Sequence, residues 1–259
     1  MPYDELKPFF HELAGASGKI IAPLYRDASL RVDTKTDGSP VTEADRRAEE
    51  VMRAMISARF PDHGVMGEEL GTENPDAEFV WVLDPIDGTI SFTTGCPLFA
   101  TLVGLLHRGQ PVLGMIHQPI TQQICLGDGE QTTLNGHPVR LRPASSLSEA
   151  VLLTTDIENI GRYREGGGFE RLRRQCRLVR TWGDAYGYLL LAGGRADIML
   201  DPIMNPWDVL PLVAVVQGAG GVITDWYGND VTVGNSCVAT AAGLHGRVID
   251  MLNGRGAWE

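Results

Sequence analysis

The chain has 259 residues, 43% of them apolar, and a formal net charge of −11. That length buries a large core and lies near the upper size of one domain, and no run approaches the ~18 apolar residues that span a bilayer, so no membrane contact is expected. The acidic balance argues against nucleic acid, whose backbone must be neutralised by Lys and Arg. It would also repel a phosphorylated small molecule unless bound cations reverse the local sign.

Met1-Pro2-Tyr3-Asp4-Glu5 has neither a basic region nor an apolar core, so no secretory signal is expected. From Asp4 to Asp27, Leu6, Phe9, Phe10, Leu13, Ile20, Ile21 and Leu24 recur at helical spacing and predict a long amphipathic helix. Lys35-Thr36-Asp37-Gly38-Ser39-Pro40 reads as a polar loop, after which Thr42-Glu43-Ala44-Asp45 opens a second helix with Val51, Met52, Met55 and Ile56 buried. Asp45 stands where a capping-box acid belongs. Val65-Met66-Gly67 leads into Glu68-Glu69, a pair that taken alone reads as a solvated face.

Phe79-Val80-Trp81-Val82-Leu83 is an unbroken apolar run and predicts a buried strand. It ends in Asp84-Pro85-Ile86-Asp87-Gly88-Thr89. Pro85 is expected to stop the ladder and Gly88 to free the turn. Two aspartates three places apart on such a turn can converge, and converging anions call for a hard cation such as Mg²⁺. The backbone N–H groups of Gly88 and Thr89 would then cradle a phosphate. Asp, Pro and Gly are also ordinary turn residues, so a plain strand-ending turn stays open.

Ala100 to Leu106, Val112 to His117 and Ile124 to Leu126 read as strands joined by hairpins, punctuated by Gly109, Gly127 to Gly129 and Asn135-Gly136. Pro138 to Pro143 closes this first half. Strands are then expected at 151–154, 177–180, 198–200, 222–224 and 238–241, and helices at 169–175, 185–192, 209–217 and 247–252. That rhythm indicates helices packed on a sheet. With no linker or repeat between them, residues 1–143 (α+β) and 144–259 (α/β) are expected to form one catalytic unit. In Pro206-Trp207-Asp208 the aspartate sits at a helix mouth, where a cap is common. Gly218-Ala219-Gly220-Gly221 follows a helix instead of a strand, so it reads as a tight turn and not a dinucleotide site. Four scattered cysteines without C-x-x-C spacing and six dispersed histidines argue against disulfides and zinc and for a reducing, cytoplasmic setting.

Lys35…Asp45, Gly67-Glu68-Glu69, Trp81 through Thr89 and Pro206-Trp207-Asp208, in this order, resemble the inositol monophosphatase family. The resemblance implies a layered α-β-α-β-α sandwich, Mg²⁺-dependent phosphomonoester hydrolysis with two or three ions, sensitivity to Li⁺ and a homodimer. Carried over by position, Glu68, Asp84 and the Ile86 carbonyl hold a first metal, and Asp84, Asp87 and Asp208 a second. A metal-bound water oriented by Glu68, and by Thr89 backed by Asp45, would attack phosphorus, with Gly88 and Thr89 holding the phosphate and water near Asp208 protonating the leaving alkoxide.

Within that family the chain looks most like the bacterial histidinol-phosphate phosphatases. Ser91-Phe92, Gln118-Pro119, Gly183-Asp184-Ala185-Tyr186-Gly187-Tyr188 and Thr224-Asp225-Trp226 carry the likeness. Asp184, Ala185 and Asp201 fall where relatives contact the leaving group, and Ile90 departs from the Asn, Lys or Arg common at its place. Inositol 1-phosphate or a sugar phosphate is the alternative small phosphorylated substrate. Two readings of other kinds are a phosphatase working through an aspartyl-phosphate, whose aspartates would stand two apart, and a non-catalytic metal- or phosphate-binding protein.

Overall fold

The helical periodicity near the N-terminus becomes α1 (Lys7–Leu24) in the computed structural model, which describes residues 3–35, 38 and 40–255. A short 3₁₀ turn at Asp4–Leu6 precedes it, and α1 stops before Asp27 because Tyr25 is extended and Arg26 turns left-handed with φ 64°. Next come β1 (Val32–Thr34) and β2 (Pro40–Thr42), a small antiparallel ribbon. Of the polar loop expected between them, Thr36, Asp37 and Ser39 lie outside the described residues. Helix α2 (Glu43–Arg59) starts at a capping box: the Ala44 N–H donates to Thr42 Oγ1, and the Thr42 N–H donates to Asp45 Oδ2 at 2.8 Å.

Strands β3 (Gly64–Gly67), β4 (Gly71–Glu73) and β5 (Phe79–Asp87) follow, then a single turn α3 (Thr89–Thr93). The hairpins expected further on are β6 (Ala100–His107), β7 (Gln110–Gln118), β8 (Gln123–Gly127), β9 (Thr132–Leu134) and β10 (His137–Val139). These form one sheet in the order β10-β9-β8-β7-β6-β5-β3-β4, in which only β3 and β5 run parallel.

The end of β5 corrects an expectation. Pro85 does not stop the strand; pairing with β6 lapses after Asp84↔Leu102 and resumes at Asp87↔Ala100. Pro85 and Ile86 on β5 thus stand opposite the single Thr101 on β6, a bulge in which a missing N–H costs no ladder bond. The Pro85 carbonyl is held instead by the Thr101 hydroxyl at 2.8 Å. The kink lies between the two aspartates.

The second half supplies β11 (Val151–Leu153), α4 (Ile157–Tyr163), α5 (Gly166–Gln175), β12 (Leu178–Arg180), α6 (Asp184–Ala192), β13 (Ile198–Asp201), α7 (Pro206–Gly218), β14 (Gly221–Thr224), β15 (Cys237–Ala241) and α8 (His245–Leu252). Its sheet order is β12-β11-β13-β15-β14. Helix α4 has only Ile160 buried, which is why no periodicity announced it.

Alternation along the strands sorts the core into layers. Trp81 and Leu83 face Phe9, Phe10, Met52 and Ile56 of α1 and α2, whereas Val80 and Val82 face the opposite way, toward Val209 and Val213 of α7. Helix α7, buried from Val209 through Val216, is packed between the two sheets together with α6. Phe169 and Leu172 of α5 and Val248 and Leu252 of α8 cover the far face of the second sheet. The result is the α-β-α-β-α sandwich that the resemblance implied.

Candidate active site

The bulge in β5 and the mouths of several helices meet in one acidic depression. Carboxylate oxygens of Asp84, Asp87 and Asp208 lie within 4.8 Å of one another. Asp84 and Asp87 flank the kink, and Asp208 is in the first turn of α7. Burial raises the Asp84 carboxyl well above its ordinary range, and the charges of Glu68, Asp87 and Asp208 raise it further. Burial does the same to Asp87, aided by Asp184 and Asp208. Asp208 is pushed up to about 7, by burial first and also by Glu68, although its Oδ2 accepts the Asn205 N–H at 2.8 Å.

Such a set is unstable as bare carboxylates and offers only hard oxygen donors, so it fits divalent cations of the Mg²⁺ kind. Part of its charge is already met by Lys35, whose ammonium donates to Glu68 Oε1 at 2.7 Å and Glu69 Oε1 at 2.6 Å. Burial alone would lower the Lys35 pKa, but these two carboxylates raise it above the ordinary value.

Asp45 proves to be the helix cap that its spacing allowed, and something more. Its Oδ2 accepts from both the N–H and the hydroxyl of Thr42, while its Oδ1, on a side chain with no exposure, has no hydrogen-bond partner among the described residues. A buried carboxylate oxygen left unspent is costly unless a ligand uses it. Asp45 and Thr89 share no hydrogen bond in this structure. The Thr89 hydroxyl donates instead to the Ile86 carbonyl at 3.0 Å, an oxygen of its own turn.

Three joined cavities make up the depression. One of about 420 Å³ holds Lys35, Glu68, Asp84, Asp87 and Asp208 together with Gly88 and Thr89. A second of about 400 Å³ runs from Gly88 and Thr89 past Ile90 and Leu98 to Asp156 and Asp184. The third, about 100 Å³, is walled by Asp87, Asp156, Asp184, Asp201 and Asp208. Gly88 opens the turn at φ 92°, a conformation its missing side chain permits.

The residues expected at the leaving group divide. Asp184 starts α6 with φ 50°, its N–H donating to Thr155 Oγ1 at 2.8 Å, and its carboxyl is pushed up to about 7 by burial and then by Asp201 and Asp208. Asp201 is 5% exposed and has both oxygens engaged, Oδ1 by the Thr155 N–H at 2.9 Å and Oδ2 by the Tyr188 hydroxyl at 3.0 Å. Its role as read from these bonds is to tie β13 to the loop after β11. Ala185 is fully buried in the core beneath Asp184.

Sequence reasoning missed Asp156. It lies on the wall shared by the second and third cavities, with Oδ1 accepting the Glu158 N–H at 2.8 Å and Oδ2 without a partner among the described residues. The signal was there: an aspartate ending Thr154-Thr155-Asp156, directly after an apolar strand.

Comparison with known proteins agrees with this geometry. The model of the inositol monophosphatase family matches residues 3–255. The chain is 43% identical over 234 residues to a bifunctional phosphatase IMPL2 of Arabidopsis thaliana, covering 88% of this chain and 67% of that protein. It is 36% identical over 246 residues to a histidinol-phosphatase of Chlorobaculum parvum, covering 95% of each. The solved structure of an inositol monophosphatase from Zymomonas mobilis superposes with a TM-score of 0.85 at 35% identity, covering 98% of this chain and 99% of the other. With nearly the whole chain matched and the acidic site in place, this protein belongs to the inositol monophosphatase family of metal-dependent phosphomonoesterases.

Proposed function

We propose that the chain hydrolyses L-histidinol phosphate to L-histidinol and phosphate, with Mg²⁺ as its cation. The observation that carries the reading is the second cavity: it runs from the turn at Gly88 and Thr89 to Asp156 and Asp184, two carboxylates that are not part of the converging set of Asp84, Asp87 and Asp208. A leaving group with an ammonium and an imidazole finds apolar contact at Leu98 and Ile90 and carboxylates beyond them. Relatives named as histidinol-phosphatases, at 36% and 34% identity, support the same reading.

Glu68, Asp84 and the Ile86 carbonyl would hold one ion, and Asp84, Asp87 and Asp208 a second. When bound, two such ions supply positive charge beside the attacking and leaving oxygens of an in-line displacement. The chain's own groups do the rest. The Gly88 and Thr89 N–H groups hold the phosphate oxygens. Glu68 and Thr89 orient a water toward phosphorus, and the unspent Asp45 Oδ1 offers the Thr89 hydroxyl an acceptor when it leaves the Ile86 carbonyl. The P–O bond to the alkoxide breaks as the new one forms; the attacking water sheds its proton to Glu68, and a water beside Asp208 gives a proton to the leaving oxygen and is restored by the one released.

The test is phosphate release from histidinol phosphate, inositol 1-phosphate, fructose 1,6-bisphosphate and adenosine 3′,5′-bisphosphate at saturating Mg²⁺. Histidinol phosphate should give the highest kcat/KM. A preference for inositol 1-phosphate, a substrate class named among other relatives, would move the chain to that activity. No release from any phosphomonoester would leave a binding protein.

A further inference from the structure

The turn that carries Glu68 is built around a carboxylate of another element. Glu49, in the middle of α2, is fully buried, and no apolar packing explains a charge there. Its Oε2 accepts the Glu69 N–H at 2.8 Å and its Oε1 the Leu70 N–H at 3.1 Å, so two successive backbone donors of the β3–β4 turn close on one anion. The Arg53 Nε donates to the same Oε1 at 2.8 Å, and an Arg53 Nη2 hydrogen bond to the Gly71 carbonyl fastens the far side of the turn. From the opposite flank the Glu68 N–H donates to the Leu83 carbonyl at 3.1 Å. Gly67 completes the fit, since a Cβ there would stand 2.0 Å from Glu49 Oε1.

We infer that Glu49, with Arg53, is a positioning residue for Glu68. The pair fixes the backbone of residues 68–70 and thereby the direction in which the Glu68 carboxylate enters the site. The inference rests on the reading of Glu68 as a cation ligand. A turn of this kind has few other anchors: β4 is three residues long and exposed along its length. Without Glu49 the Glu69 and Leu70 N–H groups would turn to water, leaving residue 68 the Leu83 carbonyl on its backbone and Lys35 on its carboxylate. Cation affinity, which depends on ligands being pre-aimed, should fall, whereas the chemistry at saturating cation should be largely intact.

The experiment is a Tb³⁺ titration, read by luminescence sensitised through Trp207 on the cavity wall and competed with Mg²⁺, alongside the Mg²⁺ dependence of phosphate release. Glu49→Gln should weaken Tb³⁺ and Mg²⁺ binding about ten-fold, the usual size for losing an outer support of a ligand, with kcat at saturating Mg²⁺ changed less than about two-fold. In a Glu68→Gln background, Glu49→Gln should add nothing to the loss, because groups acting through one another are non-additive. Arg53→Lys keeps the charge but loses the planar fork, and serves if Glu49→Gln fails to fold; it should shift cation affinity in the same direction and also fall silent in the Glu68→Gln background. A lower melting temperature with unchanged cation affinity would make the pair merely structural and overturn the inference. Unchanged affinity in Glu68→Gln alone would instead sink the assignment of Glu68 as a ligand.

Discussion

A side chain on Gly88 would collide with Asp184: a Cβ built there stands 2.9 Å from Asp184 Oδ2 and 2.9 Å from the Leu98 carbonyl, at a backbone φ of +92°. The Gly88 turn of the first half and the helix mouth of the second are therefore in contact through one glycine. Gly88→Ala meets both a left-handed backbone and a clash. It should lower kcat/KM at least ~10²-fold, since small misplacement of the reacting groups has that effect. A variant with near-normal kcat/KM for its best phosphomonoester would show that the turn does not hold the phosphate.

Asp87→Asn removes one anion from a set whose oxygens lie within 4.8 Å. Loss of this charge weakens the hold on a cation beside the leaving oxygen, and kcat should fall at least ~10²-fold by analogy with losing one transition-state donor. Without added cation the variant should melt higher than the parent, because a buried repulsion is relieved. Wild-type kcat at saturating Mg²⁺ would take Asp87 out of the site.

Asp45 and Thr89 are not hydrogen-bonded to each other, yet Asp45 Oδ1 is buried and without a partner among the described residues. If both orient one water in the working enzyme, Asp45→Asn and Thr89→Ala should each slow turnover, and the double variant should be little worse than the slower single. A cap alone predicts otherwise: about 1 kcal/mol of stability lost on Asp45→Asn and kcat untouched. Melting and rates on the three variants separate these outcomes.

Asp184 and Asp201 should behave differently. Asp184 borders the second cavity, whereas both oxygens of Asp201 are engaged by Thr155 and Tyr188. Asp184→Asn should lower kcat/KM for histidinol phosphate about ten-fold more than for glycerol phosphate, the scale of one charge-assisted hydrogen bond. Asp201→Asn should cost thermal stability and change the ratio little. Equal ratios in both variants and the parent would leave the ammonium without a carboxylate partner.

Away from the site, His117 on β7 is 7% exposed, its Nδ1 has no partner among the described residues, and burial, with a smaller push from His11, lowers its pKa to about 4 from 6.5. The unfolded chain therefore takes up this proton near pH 6.5, and the folded chain only near pH 4. Stability present above that window is lost as pH falls through it. His117→Asn should flatten the fall in unfolding free energy between these pH values in chemical denaturation. An unchanged slope would mean that His117 does not couple to acid unfolding.

Much of this was legible in the chain itself. The run Phe79 to Leu83, the helices around Met52 and Val213 and the hairpin at Asn135-Gly136 were readable because each buries a regular apolar face or needs a particular turn residue. Asp84, Asp87, Glu68 and Asp208 could be named from the ordered motifs. Their nearness could not, because Asp208 follows Asp87 by more than a hundred residues and only the packing of α7 between the sheets unites them. The bulge at Pro85, the three-residue strands of the ribbon β1–β2 and the short α4 carry no apolar period, so local pattern had nothing to register. Asp201 and Glu49 make the same point from side chains. A carboxylate's role depends on which donors reach its oxygens, and those donors, Tyr188 and Thr155 for one and the Glu69 and Leu70 N–H groups for the other, come from distant elements. Residue type and spacing determined which groups were available for metal and phosphate chemistry; tertiary packing alone decided which of those carboxylates were left free to perform it, because each hydrogen bond accepted inside the fold is one withheld from a ligand.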